Sequence, residues 1–341
     1  MNRMVAGRRV RVSVLSRTFF GVVVLMALGL SACGQEGPGK PAEEITLAVY
    51  AGSDSTLVYI AQEQGFFADN GLEVTLREYE AGKLAGDAVI AGEADIATSS
   101  DFVFVSNSLE SDDLRVLGTI SESDLIELVA RKDRGISTPA DLKGKRIGVT
   151  RKSAGEFYLG TFLTFNGLSL SDVEIVDLNP SEIVEAISGG EIDAGLTWNP
   201  NIYNMKQALG ENAVSWPGQS GQAFYFVLLA RAEFLSERSL AVERFLRALV
   251  QAEDFVEAHN EEAKEFIRQT FDYDAAYLDS VWPGQKFTVM LPQAMLIVFE
   301  DQARWRIENG LTDTTSIPNF LDRLYMDGLE VVRPEAVTVV R

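Results

Sequence analysis

The chain has 341 residues, 30 of them Lys or Arg and 50 Asp or Glu, for a net charge of −20. That length is too great for one small core and comfortable for two lobes. The acidic balance argues against nucleic acid or anionic lipid headgroups as partners. A single cysteine and a single histidine exclude a disulfide framework, a cysteine cluster and a multi-histidine metal site.

Residues 1–32 read as a leader. Arg3, Arg8, Arg9, Arg11 and Arg17 make a basic segment, and Phe19 to Leu30 is an apolar run of twelve. Such a run is short of the ~20 residues of a membrane-spanning helix but suits a signal peptide. Leu30-Ser-Ala-Cys33 resembles a bacterial lipobox, which implies cleavage before Cys33 and diacylglycerol on its sulfur. Loss of the leader removes five arginines and leaves 25 basic against 50 acidic residues, a net charge near −25. Residues 33–44, with Gly34, Gly37, Pro38, Gly39 and Pro41, read as a flexible tether.

The next part of the chain says nearly the same thing twice. A first copy runs from strand Ile45 to Val49 through polar turn Ala51 to Ser55, a helix with Leu57, Val58, Ile60 and Ala61, and Asn70-Gly-Leu72. It then makes strand Leu72 to Leu76 and reaches Gly92-Glu-Ala-Asp95 and Ile96 to Ser100. The second copy has strand Arg146 to Thr150, polar turn Arg151 to Gly155, a helix with Leu159, Phe162 and Leu163, and Asn166-Gly-Leu168. Strand Val173 to Val176 follows, then Gly190-Glu-Ile-Asp193 and Ala194 to Trp198. The Asn-Gly-Leu triplets lie 96 residues apart and the Gly-Glu-x-Asp tetrads 98 apart. A near-constant offset is the mark of internal duplication. Each copy is a β-α-β-α-β run, so two similar α/β lobes with a cleft between them are expected.

Between the copies, Leu114 to Thr119 and Leu125 to Arg131 are strand-like, and Ala223 to Arg231 is an apolar strand after the second. The similar ends Leu128-Val-Ala-Arg131 and Leu228-Leu-Ala-Arg231 bracket the second lobe, which suggests that these strands carry the chain between lobes. Ser239 to Arg268 and Met290 to Asn309 have helical patterns and are expected to pack back onto the first lobe. His259, among Glu257, Glu261 and Glu262, reads as a solvated helix-end residue. The expected division is 45–126 for the first part of lobe 1, 127–224 for lobe 2, and 225–341 for the helical remainder of lobe 1.

In open α/β sheets ligands sit beyond the carboxyl ends of the strands, near helix N-termini. Four loops qualify: 51–56, 98–102, 150–157 and 197–201. They hold no His, no Cys and no nucleophile or phosphate-loop motif, so no enzyme activity, cofactor or metal is expected. They do hold hydroxyls (Ser53, Ser55, Thr56, Thr98, Ser99, Ser100, Thr150, Ser153, Thr197) and free helix starts suited to an anionic group. Arg151 and Lys152 add positive charge; Asp54, Asp101 and Glu156 suit an amine. Each has a plainer reading. Ser153-Ala-Gly-Glu156 fits a capping box, Asp54 fits an N-cap, Arg151 and Lys152 fit solvated charges, and Trp198 fits core packing as well as a ligand wall.

Four stretches resemble one family: Gln64-Gly-Phe-Phe-Ala-Asp-Asn-Gly-Leu-Glu-Val74, Ala91-Gly-Glu-Ala-Asp-Ile-Ala97, Asp141-Leu-Lys-Gly-Lys-Arg-Ile-Gly-Val149, and Glu191-Ile-Asp193 through Trp198-Asn-Pro200. The family is that of the substrate-binding proteins of nitrate/taurine-type (NitT/TauT) ABC importers, which include binders of alkanesulfonates and thiamine-pyrimidine precursors. The resemblance implies a periplasmic-binding-protein type II-like fold, two α/β lobes joined by two crossing strands over a ligand cleft. It implies contacts from Ser53, Asp54, Ser55 and Thr56, from Thr98 to Asp101, from the helix start at Ser153 and Ala154, and from Trp198 and Asn199. The expected role is a monomeric, lipid-anchored, extracytoplasmic receptor that delivers a small solute to the transmembrane subunits of a permease. The solute's acceptor end is expected on Ser153, Ser99 and Ser100, its amine on Asp101 or Asp54, with Trp198 as apolar wall. The alternative is an enzyme of the same fold in thiamine-pyrimidine or menaquinone-precursor synthesis. The pyrimidine synthases consume a histidine and carry a cysteine-rich motif, which His259 and Cys33 do not supply.

Overall fold

The computed structural model describes residues 42–124, 126–219 and 221–341. The leader, Cys33, most of the tether and Leu125 lie outside the described residues. The first strand starts at Glu43, inside the segment expected as tether.

Among the described residues eleven strands make two sheets. They are β1 (Glu43–Tyr50), β2 (Leu72–Tyr79), β3 (Ile96–Ser100), β4 (Leu114–Ser123), β5 (Glu127–Arg131), β6 (Arg146–Val149), β7 (Glu174–Asp177), β8 (Ala194–Thr197), β9 (Ala213–Pro217), β10 (Phe224–Arg231) and β11 (Gln285–Lys286). The first sheet has the order β11-β4-β10-β3-β1-β2 and the second β7-β6-β8-β5-β9. Each contains a parallel trio, β2-β1-β3 or β7-β6-β8. Beside the trio runs an antiparallel strand, β10 in one sheet and β5 in the other. The two strands expected to cross between lobes therefore each belong to one sheet, at equivalent positions. The chain leaves the first sheet after Ser123 and enters the second at Glu127, and returns between Pro217 and Phe224.

The duplication extends to individual hydrogen bonds. Asp95 Oδ2 accepts from the Thr46 backbone N–H at 2.8 Å, and Asp193 Oδ2 accepts from Arg146 N–H at 3.0 Å. The two aspartates also donate their own N–H to the same residues' carbonyls, at 2.9 and 2.8 Å. In both tetrads the leading glycine, Gly92 or Gly190, ends a helix at φ of 75° or 79°, the left-handed conformation that glycine adopts without steric penalty. The tetrad thus closes a helix and pins the next strand beside the first.

The C-terminal helices cover the first lobe, with Phe67 stacked on Phe245 at 5.3 Å and Phe104 against Phe299 at 4.9 Å. The Gln293–Glu308 helix also reaches the second lobe, where Trp305 packs edge-on against Phe157 at 5.3 Å. A Cβ at Gly160 would overlap the Trp305 ring, so the Ala154–Phe165 helix has a notch into which this ring fits. Arg306, one residue on, is 1% exposed. Its Nη1 donates to Ser106 at 3.2 Å, lies 3.5 Å from Glu156 Oε2, and Nη2 donates to the Leu311 carbonyl.

Candidate functional site

The carboxyl ends of the parallel strands of both sheets meet at a cleft. Tyr50 ends β1, and its ring packs edge-on against Phe226 at 5.5 Å. Its hydroxyl donates to the Asn199 carbonyl of the other lobe at 3.2 Å. Gly52 is needed two residues on, because a side chain there would overlap the Tyr50 ring. Beside this bond lies a small cavity of about 20 Å³, walled by Tyr50, Trp198, Phe224 and Phe226 and bounded by Asp54, Lys83, Ser100, Ser153 and Ala154. Its lining has the make-up of a ligand site, mostly apolar with a few placed polar groups.

Of the expected contacts, Asp54, Ser100, Ser153, Ala154 and Trp198 line this space. Ser53 and Asn199 line an adjoining chamber of about 10 Å³ that shares Asp54, Trp198 and Phe224. The other expected contacts have structural partners. Ser55 is hydrogen-bonded to Thr98 at 3.1 Å, Thr56 donates to the Ser53 carbonyl at 2.6 Å, and Ser99 donates to the Gly82 carbonyl at 2.6 Å. All three side chains are fully buried and hold the loops in place.

Asp101 is also fully buried and does not line the cleft. It takes the N–H of Phe102 at 2.6 Å and that of Tyr225 at 3.2 Å, so it fixes β10 from behind. Burial pushes its carboxyl up to about 7 against the lowering effect of these N–H donors. Glu156 faces away from the cleft toward Arg306, accepting the Lys152 N–H at 3.0 Å and Arg151 Nη1 at 3.3 Å. This is a variant of the expected capping box, one residue early; Ser153 itself accepts from Gly155 N–H at 3.1 Å. Arg151 is exposed and borders an outer groove with Glu156 and Asn309.

Asp54 is 9% exposed, with Oδ1 accepting from Ser121 Oγ and Gln285 Nε2, each at 3.3 Å. Burial raises its carboxyl to about 6, while these two donors pull it down. No charged group of opposite sign pairs with it among the described residues. Lys83, which also lines the first chamber, sits in the first turn of the Gly82–Ile90 helix and pairs with Asp87 at 2.5 Å. That helix has no side-chain cap, so its first N–H groups remain available to an acceptor.

Sequence reasoning missed Tyr50, Gly82, Lys83, Phe224, Phe226 and Gln285. The loop after β2 carried a usable signal, an uncapped Gly-Lys helix start at the carboxyl end of a parallel strand. The two phenylalanines carried none, since an apolar run looks alike in a core and in a cavity wall.

Among the described residues no helix is long and apolar enough to cross a membrane, and no group of three or more His, Cys, Asp or Glu side chains is placed to hold a metal ion.

The chain belongs to the family described as NMT1/THI5 like, which matches residues 53–263. A provisionally named thiamine biosynthesis protein of Haemophilus influenzae is 30% identical over 230 residues, 66% of this chain and 73% of that protein. A provisionally named aliphatic sulfonates-binding protein of Bacillus subtilis is 27% identical over 275 residues, 76% of this chain and 81% of that protein. Among solved structures, the alkanesulfonate-binding protein of Xanthomonas axonopodis pv. citri bound to MOPS matches with a TM-score of 0.73. That match is at 19% identity, covering 83% of this chain and 99% of that one. The two-lobed architecture is that of the periplasmic binding proteins.

Proposed function

We propose that this chain is the extracytoplasmic solute-binding component of an ABC importer, anchored through lipid on Cys33. It captures a small polar organic solute by closing its lobes and hands it to the permease's transmembrane subunits. The solute classes that fit are sulfonates such as taurine and thiamine-pyrimidine precursors.

The observation that carries this reading is the polarity of the cleft. The same lining combines Asp54, Lys83 with the uncapped Gly82–Ile90 helix start, and aromatic rings. A carboxylate selects an amine or amidine, and a helix start with a lysine selects an acceptor or anion. Asp54, rather than Asp101, is the residue for the amine. The anionic end belongs with the Gly82 helix start, Ser100 and Lys83, the last shared with Asp87, rather than with Ser99 and Ser153, whose hydroxyls already donate to the Gly82 and Thr150 carbonyls. The names of the Bacillus and Xanthomonas relatives support a sulfonate, and the aromatic walls together with the Haemophilus relative support a pyrimidine.

The second reading, an enzyme of thiamine-pyrimidine synthesis, draws on that Haemophilus name. Against it, neither chamber is lined by histidine or cysteine, and His259 lies at the exposed end of the Ser239–Ala258 helix. A thermal-shift screen against taurine, alkanesulfonates, pyrimidines and amino acids tests the proposal. A rise in Tm with a member of one class supports it, and no response to any class counts against it.

A further inference from the structure

The second chamber contains a polar group that solute capture, as described above, leaves without a role. Gln285 comes from β11, a two-residue strand at the edge of the first sheet, outside the segment 53–263 that matches the family. Its Nε2 donates to Ser53 Oγ at 3.0 Å and to Asp54 Oδ1 at 3.3 Å. Its Oε1 is buried without a hydrogen-bond partner among the described residues. Asp54 is the only charged side chain on the chamber wall, and Trp198 and Phe224 face it.

The amide's orientation is not arbitrary. An ionised Asp54 attracts Nε2 and repels Oε1, so the carboxylate turns the amide oxygen away from itself. Among the described residues only Oδ1 of Asp54 receives a protein donor. Asp54 and Gln285 both line the chamber with Trp198 and Phe224, and each carries an oxygen, one charged and one neutral, without a donor among the described residues. A buried acceptor left unmade costs ~1–3 kcal/mol, and a site built to hydrogen-bond a ligand rejects the analogue lacking that group more strongly than an apolar pocket rejects a size change.

Resting on the solute-binding reading, we propose that Gln285 is a specificity-determining residue. Its Oε1, with the second oxygen of Asp54, forms a two-acceptor subsite for an amino group carrying at least two N–H bonds. The subsite separates amino-bearing solutes from isosteres without the nitrogen. Ser53 is a positioning residue for it, since its Oγ holds the Gln285 amide at 3.0 Å.

The test is calorimetric titration of the full-length protein in detergent with two matched pairs: taurine with ethanesulfonate, and 4-amino-2-methylpyrimidine with 2,4-dimethylpyrimidine. In the pair that binds, the wild type prefers the amino member by about tenfold or more. Gln285→Leu weakens the amino member about tenfold and leaves the other member within about twofold, so the ratio collapses. A merely structural role weakens both members alike, and that result overturns the assignment. So does a wild-type protein with no preference, or a preference that survives Gln285→Leu. A wild type that binds none of the four probes overturns the solute reading itself and the subsite with it, an outcome distinct from binding without discrimination.

Discussion

The Tyr50 hydroxyl donates to the Asn199 carbonyl at 3.2 Å, and this single bond joins the end of β1 in one lobe to the loop after β8 in the other. Both residues border the candidate cleft. The bond therefore exists only when the lobes are together, which links closure to the site.

Tyr50→Phe keeps the ring against Phe226 and removes that bond. A net hydrogen bond contributes ~0.5–1.5 kcal/mol, so solute affinity should fall roughly two- to tenfold. The melting temperature should stay close to wild type, because the packed ring remains. Titration beside thermal unfolding separates the two effects.

Asp54 predicts opposite pH effects on stability and binding. Its folded-state value of about 6 lies above the ordinary carboxylate value of 3.8, so the empty folded protein holds this proton more tightly than the unfolded chain does. Stability should fall as pH rises from about 4 to about 6, by ~3 kcal/mol for a shift of about two units. Asp101, raised to about 7 by burial, adds to the same trend up to neutral pH. An amine-bearing solute needs ionised Asp54, so affinity should fall as pH drops below about 6. Asp54→Asn should raise the melting temperature of the empty protein at pH 7.5 and weaken such a solute by ~2–5 kcal/mol, the range for removing one partner of a buried charge pair. Denaturant unfolding and titration from pH 5 to 8 check both directions.

Arg306 should govern stability rather than solute choice. It is buried beside Glu156, and its guanidinium lies over the Phe102 ring at 5.7 Å. Arg306→Met removes the buried one of Glu156's two cationic partners, leaving Arg151 at 3.3 Å, and should destabilise the protein by ~1.5–3 kcal/mol. The double variant Arg306→Met/Glu156→Leu should recover part of that loss. Urea unfolding of the three proteins measures the coupling.

The repeat was legible because backbone demands recur as sequence. Gly92 and Gly190 mark left-handed helix ends, and Asp95 and Asp193 make the same strand-pinning bonds. The loops beyond β1, β3, β6 and β8 were legible for the same reason. The direction of a side chain was not. Asp101 and Glu156 stand at helix starts near the cleft, yet the first turns toward Tyr225 and the second toward Arg306. Gln285 reaches the chamber through a two-residue strand far along the chain. No local pattern announces a contact made only by tertiary packing.

Cys33 lies outside the described residues, and the proposal that it is lipidated rests on the tetrad Leu30-Ser-Ala-Cys33. Cys33→Ser should move the protein from the membrane to the soluble fraction on cell fractionation. A variant that stays on the membrane with its leader normally removed contradicts the anchor.

The most direct test of the account is calorimetric titration of the wild-type protein at pH 7.5 with taurine, alkanesulfonates and aminopyrimidines, with mass analysis of the solute afterwards. The account predicts one-to-one binding of a member of these classes at about micromolar dissociation constant or tighter, strongly weakened in Asp54→Asn if the solute bears an amine, with the solute recovered unchanged. Absence of binding to every solute, or chemical conversion of the one that binds, would contradict it.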